Sequence, residues 1–106
     1  MKRIAMISYH TCPLASEEGK ESGGMNVYVL ELSKELAAMG HEVDIFTRSQ
    51  DVQTPSVGDI APRLRLAHLK AGPQEAISKK ELSPYIPEFI ESYEAFCREK
   101  NVIHHV

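Results

Sequence analysis

Apolar and polar positions along this chain follow two different periods, and the switches between them outline an α/β order. Ile4-Ala5-Met6-Ile7 is a short apolar run bounded by charge and by a polar loop. That pattern predicts a first strand over Arg3–Ser8, buried on both faces. Met25, Val29, Leu32, Leu36 and Met39 then recur at steps of four and three, with Glu31, Lys34 and Glu35 opposite, which predicts an amphipathic helix. Gly40 stands where a helix stops in the left-handed conformation. Val43-Asp44-Ile45-Phe46-Thr47 reads as a second strand, so the opening is a βαβ unit with a right-handed crossover. Residues 48–62 carry Pro55, Gly58 and Pro62 without periodicity and read as a connecting loop. Leu64–Leu69 reads as a third strand, broken by Ala71-Gly72-Pro73. Ile86, Phe89, Ile90, Tyr93, Phe96 and Cys97 share one face of a helix from about Pro84 to Lys100, with Pro84 and Pro87 at its start, where a missing N–H does little harm. Val102-Ile103-His104 begins a fourth strand.

The chemistry is expected between the first strand and the first helix. The loop His10 to Gly24 is long for a βα connection, which usually takes about 2–6 residues. It ends in Glu21-Ser22-Gly23-Gly24-Met25-Asn26, where two residues without Cβ meet the unpaired N–H groups of a helix N-terminus. Such a turn can cradle a phosphate or diphosphate. The plainer reading is that Gly23-Gly24 only ends a loop and starts a helix. No G-x-G-x-x-G and no G-x-x-x-x-G-K-[ST] occurs, which argues against a dinucleotide site and a P-loop.

Composition narrows the partners. The 106 residues carry 12 basic and 15 acidic side chains, net −3, with no basic cluster, which speaks against nucleic acid and acidic membrane surfaces. No apolar run approaches a transmembrane length, and Lys2-Arg3 precedes a strand rather than a signal-peptide core. Cys12 and Cys97 lie in no C-x-x-C pair, so a reduced, cytoplasmic protein is the simplest expectation, with Cys97 a packed thiol. His104 and His105 are adjacent and would point to opposite faces of a strand, so they form no metal site. His41 and His68 are expected to be structural or exposed. A parallel sheet wants helices on both faces, and only two convincing ones appear. The chain therefore reads as the opening of an α/β domain rather than a complete one.

Ile7-Ser8-Tyr9-His10-Thr11-Cys12-Pro13-Leu14, followed by Ser22-Gly23-Gly24-Met25-Asn26-Val27-Tyr28-Val29, resembles a known pattern. Ala71-Gly72-Pro73, Lys79-Lys80-Glu81-Leu82 and Val102-Ile103-His104 agree with it. The chain resembles the N-terminus of the two-domain (GT-B) glycosyltransferases of family 4, also called glycosyltransferase group 1. Its nearest branches are the inositol-phosphate N-acetylglucosaminyltransferases and the sucrose-phosphate synthases. The resemblance implies a Rossmann-like parallel sheet of about four strands, forming part of the acceptor-side domain over residues 1–106, with the donor-binding C-terminal domain absent. It implies retaining transfer of a hexosyl or N-acetylhexosaminyl group from a nucleotide sugar, UDP-linked, to an inositol phosphate or fructose phosphate acceptor, without a metal or cofactor.

By matching motif, His10 would line the acceptor pocket, and Glu21, Ser22, Gly23, Gly24, Met25 and Asn26 would form the loop around the acceptor. The Gly24 N–H would face the donor diphosphate, Ser16 and Glu17 would pass near the nucleotide sugar, and Lys79 would pair with the acceptor phosphate. Glu21 stands where the closest branch usually carries Asp, and His105 departs from the pattern after His104. An isolated chain of this kind is expected to be inactive and to self-associate through its incomplete sheet. The competing reading is a stand-alone, non-catalytic α/β phosphate- or nucleotide-binding module of flavodoxin or response-regulator type. A response regulator would want acidic residues after the first strand, where Ser8-Tyr9-His10 stand instead.

Overall fold

In a computed structural model of the protein, residues 2–9, 24–49, 57–73 and 83–105 are described. Strand β1 (Arg3–Ile7) leads to helix α1 (Gly24–Ala38) and strand β2 (Glu42–Arg48). Strands β3 (Val57–Ala61) and β4 (Leu64–Leu69) follow, then a single 3-10 turn (Ser83–Tyr85) and helix α2 (Ile86–Lys100). The sheet order is β1-β2-β4-β3, with β1, β2 and β4 parallel and β3 antiparallel to β4. This is an α/β fold built on a mostly parallel sheet, as the sequence predicts.

β2 is the hub because it is laddered on both sides and covered on both faces. Val43, Ile45 and Phe46 are all but fully buried. Each such side chain stabilises the fold by about 1.5–3 kcal/mol, so the core is most sensitive here. Alternation sends Val43 and Ile45 toward α1, where Ile4, Leu64, Leu66, Val29 and Ala37 join them. Phe46 faces α2 with Ala67, Leu69, Phe89 and Phe96. Its ring meets Tyr93 and Phe96 edge-on, with centroids 4.9 and 5.1 Å away.

Three local expectations change. Residues 48–62 lack apolar periodicity, yet Val57–Ala61 form β3, held by its ladder to β4 rather than by burial. The β3–β4 turn is fastened by Arg63 (φ 64), whose guanidinium donates twice to the Ala37 carbonyl, at 3.1 and 2.9 Å. The segment after α2 is not a regular strand, although the His105 N–H donates to the Arg3 carbonyl at 2.8 Å and sets it beside β1. Finally, the buried side chains described on α1 are Val29, Leu30, Ser33 and Ala37, with Leu36 packed against the core, while Met39 is 70% exposed.

Candidate functional site

The parallel strands end together, and main-chain bonds stitch their C-terminal edge. Ser8 N–H donates to Phe46 O at 2.8 Å, Arg48 N–H to Tyr9 O at 3.2 Å, and Ser49 N–H to Leu69 O at 2.7 Å. Because β1 and β2 are parallel, the helix between them runs back against them, which puts the N-terminus of α1, starting at Gly24, on this same edge. Open α/β sheets bind ligands outside the carboxyl ends of their strands.

Gly24, Met25 and Asn26 form the first turn of α1, as the loop-to-helix expectation requires. The other sequence-selected residues (His10, Ser16, Glu17, Glu21, Ser22, Gly23 and Lys79) lie outside the described residues, as do the side chains of Met25 and Asn26. What the structure adds is the framework around them. Tyr9 packs edge-on against Phe89 at 4.9 Å, and burial pushes its hydroxyl pKa up despite the nearby Arg48 charge. Arg48 is fully buried at the end of β2.

Beyond β4, Lys70-Ala71-Gly72-Pro73 is held from two sides. Arg48 Nη1 donates to the carbonyls of Ser49, Ala71 and Pro73 at 3.3, 3.4 and 2.6 Å. The Glu88 carboxylate accepts the Gly72 N–H at 2.8 Å and the Lys70 ammonium at 3.2 Å. Those two partners, the amide first, hold its pKa below the usual carboxylate range. Ser92 Oγ donates to Lys70 O at 2.6 Å.

A second polar cluster sits lower on the α2 face. Ala5, Asp44 and Arg65 are register partners and share that face. Arg65 grips Asp44 with two bonds of 2.7 and 3.1 Å. His104 reaches over β1 at the level of the small Ala5 and bonds Asp44 Oδ2 through Nε2 at 2.8 Å. An ionised carboxylate only accepts, so Nε2 carries the proton; Nδ1 then accepts from Tyr93 Oη at 2.7 Å in the neutral ring. Cys97 Sγ stands 3.8 Å from the same nitrogen, packed as the sequence predicts. Burial raises the Asp44 pKa, but the Arg65 and His104 bonds outweigh it and hold the carboxyl below its ordinary value. The cluster fastens the segment after α2 to the sheet rather than facing the C-terminal edge. Among the described residues, no group of three His, Cys, Asp or Glu is placed to hold a metal ion.

Sequence reading missed Arg48, Asp44 and Glu88. For Asp44 and Arg48 a charged residue interrupting or closing an apolar strand was the available signal, and for Glu88 an acid in the first turn of a helix, but these partners lie 16 to 60 residues away.

The family model described as "Glycosyl transferase 4-like domain" matches residues 23–104. A D-inositol 3-phosphate glycosyltransferase of Corynebacterium aurimucosum is 44% identical over 96% of this chain and 25% of its own length. One from Xylanimonas cellulosilytica is 50% identical over 76% of this chain and 19% of its own. Among solved structures, sucrose-phosphate synthase from Thermosynechococcus elongatus superposes with a TM-score of 0.83 at 37% identity, covering 92% of this chain and 25% of that one. The chain thus spans about a quarter of the length of such relatives.

Proposed function

The chain belongs to the glycosyl transferase 4-like family of GT-B enzymes, and from that premise we propose that it forms the acceptor-side part of a retaining glycosyltransferase. The sugar comes from a nucleotide sugar, UDP-linked, as a hexosyl or N-acetylhexosaminyl group. It passes to a phosphorylated polyol or sugar of the inositol phosphate or fructose phosphate type. No cofactor or nucleic acid takes part, and the protein works in the cytoplasm. Among the described residues, no helix is long and apolar enough to cross a membrane.

One observation carries this reading: α1 opens at Gly24 on the edge where β1, β2 and β4 end, in a chain 44% identical to an inositol phosphate glycosyltransferase. In the proposed step the acceptor hydroxyl attacks the anomeric carbon on the face from which the diphosphate departs. The carbon–oxygen bond to the diphosphate breaks, and the hydroxyl proton leaves with the phosphate oxygen. Main-chain N–H groups at the start of α1, Gly24 among them, stabilise the leaving diphosphate without reorganising. His10, Glu21, Ser22, Gly23, Met25 and Asn26 surround the acceptor, Lys79 meets its phosphate as a compact cation, and Ser16 and Glu17 lie toward the donor. Most of the acceleration comes from holding acceptor and donor together between two domains, so the 106-residue chain by itself is inactive.

Titration of inositol phosphate, fructose 6-phosphate and UDP against the wild type, Lys79→Ala and His10→Ala tests the assignment. Loss of a charged contact should weaken the phosphate-bearing acceptors about tenfold in Lys79→Ala while sparing UDP. Equal acceptor binding by all three proteins would falsify it.

A further inference from the structure

Strand β1 begins between two imidazole rings. In a sheet ladder a main-chain N–H is ordinarily received by a carbonyl. At the start of β1 two successive amides are received by histidine instead. Lys2 N–H donates at 3.0 Å to Nδ1 of His41, the residue before β2. Arg3 N–H donates at 3.1 Å to Nδ1 of His105, beyond α2. His105 also gives its own N–H to the Arg3 carbonyl at 2.8 Å, so one residue closes both main-chain groups of Arg3. A carbonyl accepts at any pH, whereas Nδ1 accepts only while the ring is neutral. A second proton makes both ring nitrogens donors, and the Arg3 N–H then faces another N–H.

We propose that His105 is a proton-operated catch on the outer edge of β1, with His41 its counterpart on the β2 side. Neutral, it holds the segment after α2 in line with the strand; protonated, it releases the Arg3 N–H. The segment stays tethered in both states. His104, its neighbour, keeps Nε2–H on Asp44 whatever its charge, and Tyr93 Oη can accept from a protonated Nδ1 where it donates to a neutral one. Val102 N–H remains on the Cys97 carbonyl at the end of α2. The other charged groups around Arg3 are Glu42, 3.6 Å from its guanidinium, and Asp59, Arg63, Arg65 and Lys100, which line the same cleft. Carboxylates ordinarily titrate at about pH 4 and lysine and arginine above about 10, so in mildly acid solution imidazole is the side chain that changes charge. Sheet edges are commonly blunted by permanent devices such as charge, proline or a bulge. Here the blunting is reversible.

The test measures amide protection of Arg3 relative to Ile45 in the core, each corrected for its intrinsic exchange rate. Wild type, His105→Ala and His105→Asn are compared at about pH 7.5 and 5.5, one unit either side of the ordinary imidazole value. Across that interval the share of neutral rings falls from about nine-tenths to about a tenth, so relative Arg3 protection in wild type should fall about tenfold. His105→Ala should already sit at the low level at the higher pH and fall no further. His105→Asn offers an amide oxygen that accepts at either pH, and whatever protection it gives should persist in acid. Wild-type protection that is the same at both pH values overturns the proposal. So does a fall in His105→Ala or His105→Asn as large as that of the wild type, since acid would then loosen the edge through another group.

Discussion

Asp44 is the residue on which most polar packing depends. Its side chain is 3% exposed and satisfies both Arg65 and His104. Asp44→Asn leaves a half-buried guanidinium and a buried imidazole without their carboxylate, and should cost about 3 kcal/mol in urea unfolding. The pH dependence follows from the same bonds. The folded pKa is held below the unfolded value, so the stabilisation is complete above about pH 4 and is lost as pH falls through the folded value. An acid titration of the wild type should show this loss, and the Asn variant should show a smaller one, since Glu88 still contributes. Tyr93, whose hydroxyl is pushed up to about 12 by burial and then by Cys97, should ionise well above the ordinary tyrosine value in an alkaline absorbance titration. At Gly72 the backbone conformation and the Tyr85 ring both oppose a side chain. Gly72→Ala should therefore lose about 2 kcal/mol, and Tyr85→Ala in the same chain should restore part of that loss. None of these contacts could be read from spacing. Asp44 shows in the sequence only as one polar position inside an apolar run, because its partners arrive from β4 and from the chain beyond α2.

Elements were legible where burial is strong. β1, β2, β4 and both helices follow from their apolar periods, and Pro84 and Pro87 fall in the turn and first helical residues, as their missing N–H groups require. β3 was not legible: Gly58 and Asp59 are poor strand formers, and their pairing comes from lying next to β4. The face of α1 was legible in part: Val29 is buried and Leu36 packs on the core, but Ser33, which carries no apolar signal, is buried as well, and Met39 is exposed. Ser33 Oγ is buried without a hydrogen-bond partner. Ser33→Ala should accordingly raise stability by about 1 kcal/mol, combining better helix propensity with removal of an unsatisfied hydroxyl. An unchanged unfolding midpoint would show that the hydroxyl is satisfied after all.

For the whole molecule, part of the exposed apolar surface gathers on one flank, apart from Tyr28, Met39 and Ile103. Ile7, Tyr9, Ile86, Phe89, Ile90 and Tyr93 line a groove of about 330 Å³, and Ile7 and Ile90 are about half exposed, at 54% and 50%. Size-exclusion runs at rising concentration should show self-association, and Ile90→Glu should reverse it; a compact monomer throughout would contradict this. The sequence disclosed the sheet edge and the helix start at Gly24, but not the contacts that hold Lys70–Pro73, which exist only once β2, β4 and α2 have met. The two flanks of the sheet are not equivalent. On the far side β3 runs backwards, is kinked between Asp59 and Ala61, and turns charge and glycine outward. A free strand-forming peptide offered to this protein should thus never be cross-linked at Val57–Ala61, and at β1 it would have to compete with the chain's own His105 for Arg3.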